Sequence, residues 1–183
     1  IFDPIRDISL LSMVVRMLLA VVCGGAIGVE REFKRRPAGF RTHILICLGA
    51  AMTTLTGQYI GLVLGYTADM TRLSAQVVAG IGFIGAGTII LHKQIVRGLT
   101  TAAGIWATSG IGLAIGAGMY TLGISATILT LIGLEVLSFL FKSVGMKSSA
   151  VEFSTESKET LNQLVKKFNS KEYNIVSYQL DEK

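Results

Sequence analysis

Charge is scarce through the first three-quarters of this chain: residues 1–141 carry 16 charged side chains, against 13 in the much shorter stretch 142–183. Only two cysteines and two histidines occur in 183 residues. Cys23 and Cys47 lie inside long apolar runs and read as small buried hydrophobes. His43 and Cys47 are four apart on one helix face, but two ligands do not make a metal site. No GxxxxGK[ST] phosphate loop is present, and no soluble segment is large enough to hydrolyse ATP. No nucleophile–base pair has workable spacing, and Thr108 and Ser109 read as packing residues. The sequence therefore predicts neither an enzyme nor a bound cofactor. The net charge of +5 sits mostly in short loops beside the apolar runs, which argues for membrane topology rather than nucleic acid.

What the chain has instead is apolar length. Hydrophobic residues make up 51% of it, and the mean hydropathy is +0.59. Five runs, at 8–29, 44–64, 73–91, 100–120 and 121–141, approach the roughly 20 helical residues that cross a hydrocarbon core of about 30 Å. Open strand edges are not tolerated in lipid, so helices are expected. The fold class read here is an all-α membrane protein, a bundle of five transmembrane helices with a partial α+β cytoplasmic segment at its C-terminal end. The loop Glu30–His43 carries Arg31, Lys34, Arg35, Arg36 and Arg41. The positive-inside rule then places that loop and the C-terminus in the cytoplasm, with the N-terminus outside.

Residues 142–149 read as a linker, and 150–183 as a short β-α-β segment. In it Val151 and Phe153 alternate as a strand, Leu161, Leu164, Val165 and Phe168 line one helix face, and Val176, Tyr178 and Leu180 alternate again. About 40 residues are too few to fold alone. The segment is expected to be truncated or to pack on a second copy.

Glycine is abundant, and 20 of the 21 lie between residues 23 and 134. Lipid supplies little hydrophobic drive between helices, so small residues that permit close backbone approach must do more. Gly24 and Gly28, Gly57 and Gly61, and Gly112 and Gly116 are spaced for such packing. Gly80, Gly82, Gly85 and Gly87 in the third run suit packing, or a bend beside a small cavity. Trp106, inside the fourth run, is expected to pack on glycine faces in the core.

Two charges fall within predicted helices. Arg16 lies roughly 12 Å below one edge and Glu135 roughly 9 Å from the other. A central charge costs about 2.5–3.5 kcal/mol on insertion scales, so each is expected to face the bundle. They form a candidate intramembrane polar site, with Arg31 or Arg97 as alternative partners for Glu135. In the loop, Glu30, Arg31, Glu32, Arg36 and Arg41 interleave acids and bases around the Pro37-Ala38-Gly39 turn. That pattern suits an ordered docking surface as well as contact with anionic lipid. Thr42 is placed to cap the helix that follows.

Four stretches together resemble the MgtC/SapB/YhiD family of bacterial inner-membrane proteins. They are Gly24–Glu32, Arg36–His43, Ala79–Gly87, and Gly98–Ala103 with Trp106. The resemblance covers about residues 10–141 and implies a five-span bundle. In many members it also implies a cytoplasmic ACT-type domain, of which only the opening half is matched here. It further implies adaptation to low magnesium or acid stress, survival of pathogens in macrophages, and restraint of the membrane ATP synthase as a protein partner. A non-enzymatic regulator, acting as a homodimer or other homo-oligomer, is the leading expectation. A small oligomeric cation transporter or channel, with Glu135 on its path, is the alternative.

Overall fold

The computed structural model describes residues 7–67, 69–92 and 95–142. Helix α1 runs Leu10–Phe33 and α2 runs Phe40–Gln58, continued by a π-helical turn over Tyr59–Val63. Helix α3 spans Arg72–Gly87, a hairpin pairs β1 (Ile90–His92) with β2 (Ile95–Arg97), α4 spans Leu99–Gly116 and α5 spans Tyr120–Lys142. The strands are antiparallel, with Leu91 opposite Val96.

Among the described residues, three helices are long and apolar enough to cross a membrane: Leu10–Phe33, Phe40–Val63 and Leu99–Gly116. This corrects the five-span expectation. The third run breaks up because α3 stops at Gly87 and Ile90 and Leu91 leave it as a strand. Its 16 residues give about 24 Å at 1.5 Å per residue, short of a hydrocarbon core of about 30 Å. In the fifth, Tyr120–Glu135 is a shorter apolar helix among the described residues. Among the described residues the architecture is an all-α bundle carrying a two-stranded hairpin, not a five-span bundle. The β-α-β segment expected over 150–183 lies outside the described residues.

Local signals explain the helix ends. Ser9 caps α1: its Oγ accepts from Ser12 N at 3.2 Å, and Ser12 Oγ accepts from Ser9 N at 3.0 Å, a reciprocal pair that satisfies orphan donors. The cap of α2 is Gly39, not Thr42, and no side chain of its own turn serves it. Instead Glu32, from the end of α1, accepts from Phe40 N at 3.1 Å. Gly98 starts α4 with φ +95°, and a Cβ there would run into the Thr88 carbonyl. Only glycine fits both demands.

The bundle has the polarity of a membrane protein. On α1, Leu10, Leu11, Leu18 and Val22 point outward while Ser12, Arg16, Ala20, Cys23, Gly24, Gly28 and Arg31 are buried. The buried apolar cluster is built of small or branched residues, Ala20, Cys23, Ile27, Cys47, Ala51, Ile111 and Ile115. Helices α1, α2 and α4 meet there on glycine. A Cβ on Gly24 would sit 2.7 Å from the His43 carbonyl oxygen, one on Gly28 2.7 Å from Phe40 Cα, and one on Gly116 2.6 Å from the Ala51 carbonyl oxygen. Gly112 lies against the Cys47 carbonyl in the same seam. Backbones in such contact gain dispersion and weak Cα–H···O bonds that side chains would prevent.

Candidate functional site

Two polar clusters occupy opposite ends of α4. The first surrounds Arg16, which is 1% exposed. Its Nη1 donates to Gly116 O and to Gln58 Oε1, both at 2.9 Å, and its Nε donates to Tyr120 Oη at 3.2 Å. Gln58 Nε2 donates in turn to Ala117 O at 3.3 Å. Gly116 and Ala117 close α4, whose last carbonyls have no intrahelical donors and carry the negative end of the helix dipole. A guanidinium there is held by geometry and charge at once, because its planar fork suits several acceptors. Arg16 is a C-terminal cap supplied by another helix. Gly118, with φ +79°, turns the chain beside it, and a Cβ there would stand 3.2 Å from Arg16 Nη2.

The second cluster lies where α1 ends and α2 and α4 begin. Arg31 is buried, and its Nη2 donates to Thr101 Oγ1 at 3.4 Å. Glu30 lies 3.2 Å from Lys34 Nζ and 3.9 Å from Arg31 Nη1. Lys34 also bonds Glu135, tying α1 to α5. That hydrogen bond first, and Glu30 second among favourable contacts, hold the Lys34 ammonium above its ordinary range despite some desolvation. His43 is fully buried; its Nδ1 lies 2.9 Å from Gly39 O, which makes Nδ1 the donor and leaves Nε2 as an acceptor. Arg31 Nε, His43 Nε2 and Ser109 Oγ are buried without a hydrogen-bond partner among the described residues. No group of three or more His, Cys, Asp or Glu side chains there is placed to hold a metal ion.

The structure does not bring Arg16 and Glu135 together. Arg16 caps α4, while Glu135 is exposed and pairs with Lys34. The loop residues divide. Glu30, Arg31 and Glu32 are used inside the fold, whereas Arg36 and Arg41 are exposed. Gly24, Gly28, Gly112 and Gly116 meet neighbouring backbone, and Gly57 and Gly61 receive Met70. Gly85 meets Ala102, but Gly80 and Gly82 have nothing within 4 Å of a Cβ position. Trp106 is 58% exposed, so it faces outward instead of packing in the core. Sequence reasoning missed Gln58, Tyr120, Thr101 and Lys34. The available signal for the first two was a polar residue close to the end of an apolar run, at the depth of Arg16.

Membrane-length helices with large apolar side chains outward and a polar, glycine-seamed interior define an integral, multi-pass helical membrane protein. The sequence profile of the MgtC family matches residues 17–143, and the chain belongs to that family of bacterial inner-membrane proteins. It is 45% identical to YhiD of Escherichia coli strain K12 over 133 residues, covering 67% of this chain and 59% of YhiD. SapB of Bacillus subtilis is 30% identical over 184 residues, covering 93% of this chain and 78% of SapB. MgtC of Salmonella typhimurium strain LT2 is 39% identical over 118 residues, covering 64% of this chain and 49% of MgtC. The matched region spans 59% of the length of YhiD and 49% of that of MgtC. No solved structure matches.

Proposed function

We propose that this chain is a regulator that acts by binding another membrane protein, in adaptation to magnesium limitation or acid stress. The observation that carries the reading is the contrast between a sealed seam and an open helix. Between α1, α2 and α4 backbone meets backbone, and Arg16 is hydrogen-bonded to Tyr120, Gln58 and Gly116 inside the bundle. Helix α3, by contrast, packs chiefly on α4 and α2, and Gly80, Gly82 and Gly87 are unopposed among the described residues. Phe83, 86% exposed, stands between them. Close helix–helix approach in lipid uses such surfaces. The exposed Arg36 and Arg41 supply a second, basic contact at the membrane edge. By the positive-inside rule that edge is cytoplasmic and the N-terminus lies outside. The partner is a second copy or a different membrane protein, the ATP synthase being the candidate that family resemblance supplies.

A photoreactive residue at Gly82, activated in native membranes, tests this. The expected result is a discrete crosslinked species, lost when Gly80→Leu and Gly87→Leu are added beside the probe in a protein that keeps the wild-type unfolding midpoint. Its mass separates a self-pair from a second protein. No crosslink at Gly82, with Arg36→Ala/Arg41→Ala leaving low-magnesium growth unchanged, would overturn the reading. A transporter is the second reading, favoured by the name of YhiD, a candidate magnesium transporter. Magnesium flux in proteoliposomes that disappears in Glu135→Gln would replace the regulator with that alternative.

A further inference from the structure

A cavity of about 470 Å³ lies between the π turn, the start of α3 and the junction of α4 with α5. That volume falls within the roughly 300–1,000 Å³ of ligand pockets. Its polar wall consists of Thr54, Gln58, Thr71 and Ser74, and each is already engaged by protein. Thr54 Oγ1 donates to Ala50 O at 3.2 Å and stands 3.1 Å from Ser74 Oγ. The Gln58 amide serves Arg16 and Ala117, and Thr71 Oγ1 donates to Asp69 Oδ1 at 2.6 Å. A buried water needs two to four polar partners, and a polar solute needs at least as many. This wall has few to offer.

The rest of the lining is apolar, with Leu62, Met119 and Leu122 half or more exposed on the outer surface of the bundle. The mouth is rimmed by these outward-facing apolar side chains. An unfilled apolar cleft forfeits dispersion contacts along its whole lining. An unbranched chain entering sideways from the bilayer restores them without breaking any hydrogen bond. We propose that this cleft holds one acyl chain of a membrane phospholipid. Because Gln58 forms part of the wall and bonds both Arg16 and Ala117, a lodged chain braces the cap at the end of α4. The inference is independent of the regulator reading, since the cleft is built mainly from faces other than the open glycine face of α3.

Native mass spectrometry of the whole chain, purified in mild detergent from bilayers of phosphatidylethanolamine and phosphatidylglycerol, tests it. The wild type is expected to retain one phospholipid per chain. Ala114→Phe, which fills the cleft, is expected to lose it, while Ala79→Phe on the exposed face of α3 keeps it. Ala117→Leu, a smaller filling, replaces Ala114→Phe where that variant does not fold. Stripping lipid should lower the unfolding midpoint of the wild type and leave that of the filled variant unmoved. A wild type that carries no phospholipid, or a filled variant that carries as much, overturns the proposal. So does loss of an oligomer on filling with no change in bound lipid, because the cleft then holds protein.

Discussion

At the scale of single residues, the energetics turn on two kinds of side chain, one buried arginine and several absent Cβ atoms. Arg16→Met removes the donor from Gly116 O, Gln58 and Tyr120 together. Hydrogen bonds to a charged group are worth about 1.5–3 kcal/mol each, and buried acceptors left bare add to the loss. A destabilisation of about 3 kcal/mol or more is expected in detergent unfolding, against about 1 kcal/mol for Tyr120→Phe. Arg16→Lys should not rescue, because an ammonium cannot reach three separated acceptors in one plane. Glycine substitutions divide by surroundings. Gly28→Ala drives a methyl into the Phe40 backbone at 2.7–2.9 Å, which should cost about 1–3 kcal/mol. Gly82→Ala meets open space, so the monomer should be unchanged or gain up to about 1 kcal/mol from better helix propensity. Equal losses at the two positions would contradict the packing described.

At the scale of elements, Lys34 adds an ion pair to the packing of α1 against α5. Since Glu135 holds the Lys34 proton more tightly than in an unfolded chain, the stabilisation is complete below the ordinary lysine range, near 10.4. It fades as pH rises through the elevated folded value. Hydrogen exchange of α5 should therefore be flat from pH 6 to 9 after correction for intrinsic rates, accelerate in stronger base, and lose that acceleration in Glu135→Gln. Asp69 behaves oppositely. Bonds from the Thr71 side chain and backbone depress its carboxyl, so the turn before α3 keeps its support above the ordinary aspartate value of about 3.9. It loses that support as pH falls through the lower folded value. The elements also mark how far sequence pattern reached. Each described helix overlaps one of the apolar runs, because 3.6-residue geometry and lipid leave few alternatives. The ends shifted where contacts distant in sequence intervened: Glu32 reaches across to start α2, and the chain after Gly87 pairs with Ile95–Arg97 as a hairpin. Periodicity within one run records neither.

At the scale of the whole molecule, the long second helix separates the Pro37 turn from the Asp69 turn. A cysteine introduced at Arg36 and one at Asp69 are expected to react with membrane-impermeant maleimide from opposite faces of sealed vesicles. The native Cys23 and Cys47 are buried and should stay silent. Labelling of both positions from one face would contradict a bundle in which Phe40–Val63 crosses the bilayer.

Composition alone settled that this is a membrane helical protein, since apolar length in lipid admits few folds. The sequence also pointed to glycine as the carrier of close packing, because lipid supplies little hydrophobic drive between helices. Which glycines are sealed and which stand open was decided only in three dimensions. So was the exchange of partners that gives Arg16 to the end of α4 and Glu135 to Lys34. Both depend on how helices far apart in sequence are laid side by side, and spacing along one helix carries no record of its neighbour.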